Sequence, residues 1–129
     1  MRGNPIRQFL LMEHADRLDL PKGHLDKGES ELQCALRELE EETSISASEI
    51  ELDPKFRFVQ RYSVWPKKFN GEECEKTLVV FLGQLHRDTV IRLTEHQGFR
   101  WVNWNPPHQI QAQTIDPLLA ELDRFLNTT

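Results

Sequence analysis

Three glutamates, Glu38, Glu41 and Glu42, stand at i, i+3 and i+4 of a segment that reads as a helix. On a helix such residues are neighbours, and each like-charge pair costs a few tenths of a kcal/mol, order of magnitude. At about 100° per residue, Glu38 and Glu42 lie roughly 40° apart, beside the apolar stripe and not opposite it. Carboxylates gathered at the edge of a core suit a hard divalent cation, Mg2+ or Mn2+, because such ions prefer oxygen ligands. The other reading of the same pattern is an acidic helix face turned to water.

The elements around these residues follow from periodicity. Ser30 to Thr43 is predicted to be a helix, with Leu32, Ala35, Leu36 and Leu39 at i, i+3, i+4 and i+7 as its apolar stripe. Leu20 to His24, punctuated by Pro21 and Gly23, is a loop before it. Strands are expected at Ile6–Glu13, at Phe56–Val64, and at Val90–Leu93. Thr77–Leu85 is a further strand, whose near-continuous apolar run predicts burial on both faces. Phe99–Trp104 is another. Asp116-Pro117 is expected to open a final helix, with Asp as the N-cap and Pro in the first turn. Ile115, Leu118, Leu119, Leu122, Phe125 and Leu126 would form its apolar face. Two amphipathic helices among several strands predict an α/β/α sandwich with a mixed sheet.

Composition narrows the setting. The 129 residues fit one domain, 1–129. Sixteen Lys and Arg against 21 Asp and Glu leave a net charge of −5, which disfavours a nucleic-acid binder that works by bulk charge. The apolar run Phe9–Met12 is far short of the roughly 20 residues of a membrane span. No leader peptide is expected, and Cys34 and Cys74 form no disulfide framework. The chain therefore reads as cytoplasmic, with reduced thiols and no membrane partner. Cys34 is expected to be a small buried apolar residue on the helix.

From Gly23 to Ile45 the residues stand in a fixed order: Gly23, Glu29, Arg37, Glu38, Leu39, Glu41, Glu42, Ile45. Six of these residue types at set spacing coincide by chance near roughly one start position in ten million. The segment resembles the Nudix box. One position departs, with Ser44 where the box has glycine just past the helix. Ser can take the left-handed conformation common there at modest cost. The resemblance implies a helix-flanked mixed sheet that hydrolyses a nucleoside diphosphate linked to another group. It assigns Glu38, Glu41 and Glu42 to the metal and one of them to deprotonating water. It makes Arg37 and Glu29 the pair that braces the helix, and Gly23 the tight turn before it. The physics agrees: bound divalent cations invert an acidic field, bridge phosphate oxygens and lower the pKa of water.

Leu20–His24, Lys76-Thr77 and Leu93–Trp101 extend the likeness over most of residues 20–104, toward the asymmetric diadenosine tetraphosphate hydrolases. That likeness implies phosphate contacts at Lys22 and Lys76. Glu95 would be a carboxylate outside the box, serving as metal ligand or base, and His96 a hydrogen-bond donor to phosphate. Tyr62 is the better candidate for stacking on adenine, ahead of Trp65, Phe69 and Trp101. The reaction implied is Mg2+-dependent cleavage of diadenosine tetraphosphate to ATP and AMP. Other Nudix substrates compete with it: an RNA 5′ end, a nucleoside triphosphate or an inositol pyrophosphate. So does a non-catalytic nucleotide sensor on the same fold. Met1–Pro5 is too short and polar for the family's usual first strand. Either the natural start lies upstream or that strand is absent, and an absent strand would leave a sheet edge that a second copy of the chain could cover, as a homodimer.

Overall fold

In the computed structural model, residues 1–3, 6–14, 17–65, 70–86, 91–92 and 98–128 are described. Five strands and two longer helices run in the order β1 (Gln8–Glu13), β2 (Leu18–Asp19), α1 (Glu31–Thr43), β3 (Ile50–Val64), β4 (Cys74–Leu85), β5 (Gly98–Asn103) and α2 (Ile115–Asn127). A single 3-10 turn, Ala47–Glu49, leads into β3.

The strands form two antiparallel ribbons, β2-β1-β5 and β3-β4. Met1 and Arg2 stitch them together. Met1 N donates to Gly83 O at 2.7 Å, and Leu85 N donates to Met1 O at 2.8 Å. A residue bonded to the groups on either side of its opposite number makes a parallel bridge. Arg2 then makes an antiparallel bridge to Gln8 on β1. Through these bonds the first two residues link the β3-β4 ribbon to β1 of the other.

The core is built around α2. Ile115 and Leu119 pack with Phe9 and Leu11 of β1. Leu118 and Leu122, on the adjoining face, pack with Phe56 of β3 and Leu82 of β4. The apolar face read from the sequence thus serves both ribbons at once. Helix α1 is different. Its stripe of Leu32, Ala35, Leu36 and Leu39 lines an apolar cavity of about 200 Å³ between the ribbons. Leu32 remains 37% exposed.

Several expectations shift. Strand β3 begins at Ile50, earlier than Phe56, with an irregularity between Leu52 and Arg57. Of the β4 run, only Leu82 and Leu85 are buried; Leu78 to Phe81 are half-buried at the apolar cavity. Val90 and Leu93 lie outside the described residues. Ile91 and Arg92 between them form no strand, and Arg92 spends its backbone on the end of α1, donating to Thr43 O at 2.9 Å. Helix α2 starts at Ile115 after Thr114, so Asp116 is not its N-cap. Its Oδ1 instead accepts from the Ile110 and Gln111 amides and fastens the preceding loop.

Candidate active site

Helix α1 is defined at both ends by local chemistry. Ser30 and Gln33 form a reciprocal capping box that satisfies two amides of the first turn. At the other end Ser44 sits at φ 66°, ψ 14°, and its N–H donates to Glu40 O. This is the left-handed position that the departure from glycine raised. Ser44 Oγ also donates to Arg92 O at 3.2 Å.

The loop before the helix lies along it, pinned once per turn. Gly23 O faces Cys34 Sγ at 3.7 Å, His24 O accepts from Arg37 Nη2 at 3.0 Å, and Lys22 N donates to Glu42 Oε2 at 3.0 Å. Cys34 is buried as expected, and burial pushes its thiol pKa up. Gly23 serves this close approach. The resemblance makes it a tight turn, but the left-handed residue here is Gly28, at φ 81°. A Cβ on Gly23 would land on the Glu38 carboxylate.

Arg37 is the hub. Its Nε and Nη2 grip both oxygens of Glu29, at 2.7 and 3.0 Å. Its Nη1 reaches Glu38 Oε1 at 2.9 Å and Glu41 Oε2 at 3.1 Å. Bidentate pairs of this kind are strong and directional. These bonds from Arg37, then the Asp26 amide, hold the Glu29 pKa down at about 2. The same carboxylates raise that of Arg37. Glu38 is largely covered, Glu41 is 57% exposed, and Glu42 is buried.

Beside the C-terminal half of α1 lies a cleft of about 480 Å³. Lys22, Gly23 and Glu42 form one wall, and Tyr62 and Lys76 come from the β3-β4 ribbon. Tyr62 and Lys76 are directly opposed in the register. Opposed residues share a face, so the two side chains project together. Glu38 and Glu41 stand on the same helix but do not line this cleft. Glu95, His96 and Phe69 lie outside the described residues. Trp101 lines the apolar cavity under the Arg2 guanidinium, 3.9 Å from its ring centroid, and so packs rather than stacks. Trp65 is 62% exposed. The cleft also holds Thr77 of the Lys76-Thr77 pair, and His14, Arg17, Asp19 and Glu75, which the sequence did not single out. These four come from two distant stretches, the β1-β2 hairpin and the start of β4, with no shared spacing that could have flagged them.

Among the described residues no three His, Cys, Asp or Glu side chains converge as a ready-made metal cage. The donor chemistry nonetheless fits a hard divalent ion. Two carboxylates share Arg37 Nη1 with each other, a third is buried at the cleft wall, and all are oxygen donors on one helix. Arg37 holds Glu29 through Nε and Nη2, and Glu38 and Glu41 through the separate Nη1.

A carboxylate-bearing helix braced by Arg37 thus stands beside a cleft lined by Lys22, Lys76 and Tyr62. A NUDIX domain model matches residues 3–125. The asymmetrical bis(5′-nucleosyl)-tetraphosphatase of Rattus norvegicus is 35% identical over 132 residues, which is 98% of this chain and 85% of that protein. An RNA pyrophosphohydrolase of Pelagibacter ubique is 35% identical over 104 residues, 75% of this chain and 64% of that protein. A Caenorhabditis elegans Ap4A hydrolase binary complex superposes with a TM-score of 0.79 at 26% identity, covering 95% of this chain and 88% of that one. The chain belongs to the NUDIX domain family and is a Nudix pyrophosphohydrolase.

Proposed function

We propose that this chain is a Mg2+-dependent hydrolase that splits diadenosine tetraphosphate asymmetrically, into ATP and AMP. The observation that carries the reading is the cleft that sets Lys22, Lys76 and Tyr62 beside Glu42 at the end of the acidic helix. Relatives named for this reaction, similar over nearly the whole chain, support the substrate.

In this reading Glu38, Glu41 and Glu42 hold the cation, with Mn2+ as the other ion of suitable chemistry. Once bound, the cation neutralises phosphate charge and lowers the pKa of water. Glu41, Glu38 and Glu95 are the carboxylates proposed to take the proton from the attacking water. Lys22 and Lys76 place point charges on the polyphosphate chain, His96 adds a hydrogen bond, and Tyr62 stacks on an adenine. Arg37 and Glu29 act indirectly: they hold α1 and its carboxylates in register with the Lys22–His24 loop. The free thiols Cys34 and Cys74 accord with work in the cytoplasm. No described helix is long and apolar enough to cross a membrane.

A second reading, removal of pyrophosphate from an RNA 5′ end, is favoured by the RNA pyrophosphohydrolase relatives. The net charge of −5 weighs against it, because phosphate contacts dominate RNA affinity. The purified chain is incubated with diadenosine tetraphosphate and Mg2+, and products are separated by chromatography. A chelator and Glu41→Gln serve as controls. ATP plus AMP, lost in both controls, is expected. Two ADP would overturn the asymmetric assignment. Turnover of triphosphorylated RNA alone would favour the second reading, and no turnover on a panel of pyrophosphates would favour the nucleotide sensor.

A further inference from the structure

We propose that Arg17 and Lys22 form a two-cation clamp for the phosphate chain, and that Asp19 is the buried positioning residue that assembles it. The proposal rests on the nucleoside polyphosphate reading above and adds two residues to it. Asp19 is 3% exposed and lies at the end of β2. Its Oδ1 accepts from Leu20 N at 2.8 Å. Its Oδ2 is approached by two cations, Arg17 Nε and Lys22 Nζ, each at 3.5 Å.

Burying a carboxylate requires compensation by charge or hydrogen bonds. One cation and one amide would satisfy that requirement. Here a second cation is gathered onto the same oxygen. The exposures show which way the cluster faces. The side chain of Asp19 is 4% exposed, whereas those of Arg17 and Lys22 are 48% and 34% exposed. The negative charge lies behind and the positive charges in front, and all three residues line the cleft. Two positive groups around one buried carboxylate leave the Arg17–Asp19–Lys22 cluster itself with a net charge of +1. In an acidic protein, such a cluster gives an anion one attractive point on a wall that it shares with Glu42, whose carboxylate is bonded to Lys22 N. The two cations also differ in kind. Arginine offers a planar fork that matches a phosphate edge, and lysine a compact point charge. A carboxylate that fixes both leaves less side-chain entropy to be lost when the phosphates arrive.

The test compares Arg17→Gln, Arg17→Lys, Asp19→Asn and the double variant with the parent chain. Two readouts are used: steady-state hydrolysis of diadenosine tetraphosphate, and calorimetric binding of inorganic tripolyphosphate. Loss of one charge-assisted contact predicts that Arg17→Gln raises KM and the tripolyphosphate Kd about tenfold, with a smaller change in kcat. Arg17→Lys should recover part of the loss. Asp19→Asn, which keeps the acceptor for Leu20 N, should weaken binding several-fold, on the order of the ordering cost of two side chains. In that background Arg17→Gln should add less than about twofold, because the fork is no longer held. Unchanged KM and Kd in Arg17→Gln would overturn the clamp. A full tenfold loss retained in the Asp19→Asn background would overturn the positioning role. If the parent chain binds tripolyphosphate but cleaves no nucleoside polyphosphate, the functional reading fails while the clamp still stands or falls by the binding series.

Discussion

Replacing Gly23 by alanine should separate activity from folding. The φ of Gly23 lies outside the left-handed range, so alanine fits its backbone. The added Cβ would meet Glu38 Oε2 at 2.5 Å, where ordinary contact begins at 3.4 Å. The nearest carboxylate atom, Cδ, is met at 2.1 Å, so the group must retreat by about 1.3 Å to reach that limit. That retreat strains its bond to Arg37 Nη1, now 2.9 Å. The folding terms oppose each other. A shift away from a charged hydrogen bond costs about 1–2 kcal/mol, and replacing a compatible glycine recovers about 0.4–1 kcal/mol through the unfolded chain. Net stability should fall by about 0–1.6 kcal/mol, or up to roughly 6 °C in Tm. Activity has no such compensation. A misplacement near 1 Å in a positioned group costs about a hundredfold in rate. Mg2+-dependent hydrolysis of diadenosine tetraphosphate and a thermal melt on the same preparation give both numbers. The reasoning also requires that Glu38→Gln add little in the Gly23→Ala background, because both act on one carboxylate. A Gly23→Ala protein with kcat/KM within twofold of the parent would refute it.

Ser44→Gly should stabilise the chain by about 0.5–1 kcal/mol, raising Tm by about 2–4 °C, because glycine removes the left-handed penalty and the exposed Ser44 Oγ bond lost with it is weak. Glu29 binds its proton less readily folded than unfolded, with the pKa lowered from 4.5 to about 2. Its contribution is therefore present above pH 4.5 and lost as pH falls toward 2. Urea melts across that window should show a shallower pH slope for Glu29→Gln than for the parent, and equal slopes would count against the Arg37 hub. Tyr62→Leu should raise KM for diadenosine tetraphosphate about tenfold or more through lost stacking, with the tripolyphosphate Kd unmoved. Weakening of both ligands alike would show that Tyr62 shapes the cleft rather than holding a base.

How much was legible before the fold was known depends on the range of each interaction. Helix α1, its Ser30 start, the Arg37–Glu29 pair and the strain at Ser44 were all readable, since each joins residues in or beside one short motif. Glu38, Glu41 and Glu42 share a helix by spacing alone, but spacing did not tell that Arg37 would occupy two of them and the Lys22 amide the third. Asp116 misled because its dipeptide with Pro117 is a strong local start signal. The carboxylate was instead drawn to the Ile110 and Gln111 amides of the loop packed against it.

Local chemistry therefore determined the acidic helix, the loop that precedes it and the two amphipathic faces. Caps, turns and i, i+4 neighbours are settled over a few bonds of chain. Only the tertiary structure decided the cleft. Tyr62 meets Lys76 through strand register, Arg17 and Lys22 meet over Asp19 because β2 ends beside the loop, and Met1 reaches Gly83 across 82 positions. Register shifted by one residue would send Tyr62 to the other face. Nothing in the linear order expresses that choice, because it is made by burial of both ribbons against α2, whose Leu118 and Leu119 point to different sheets.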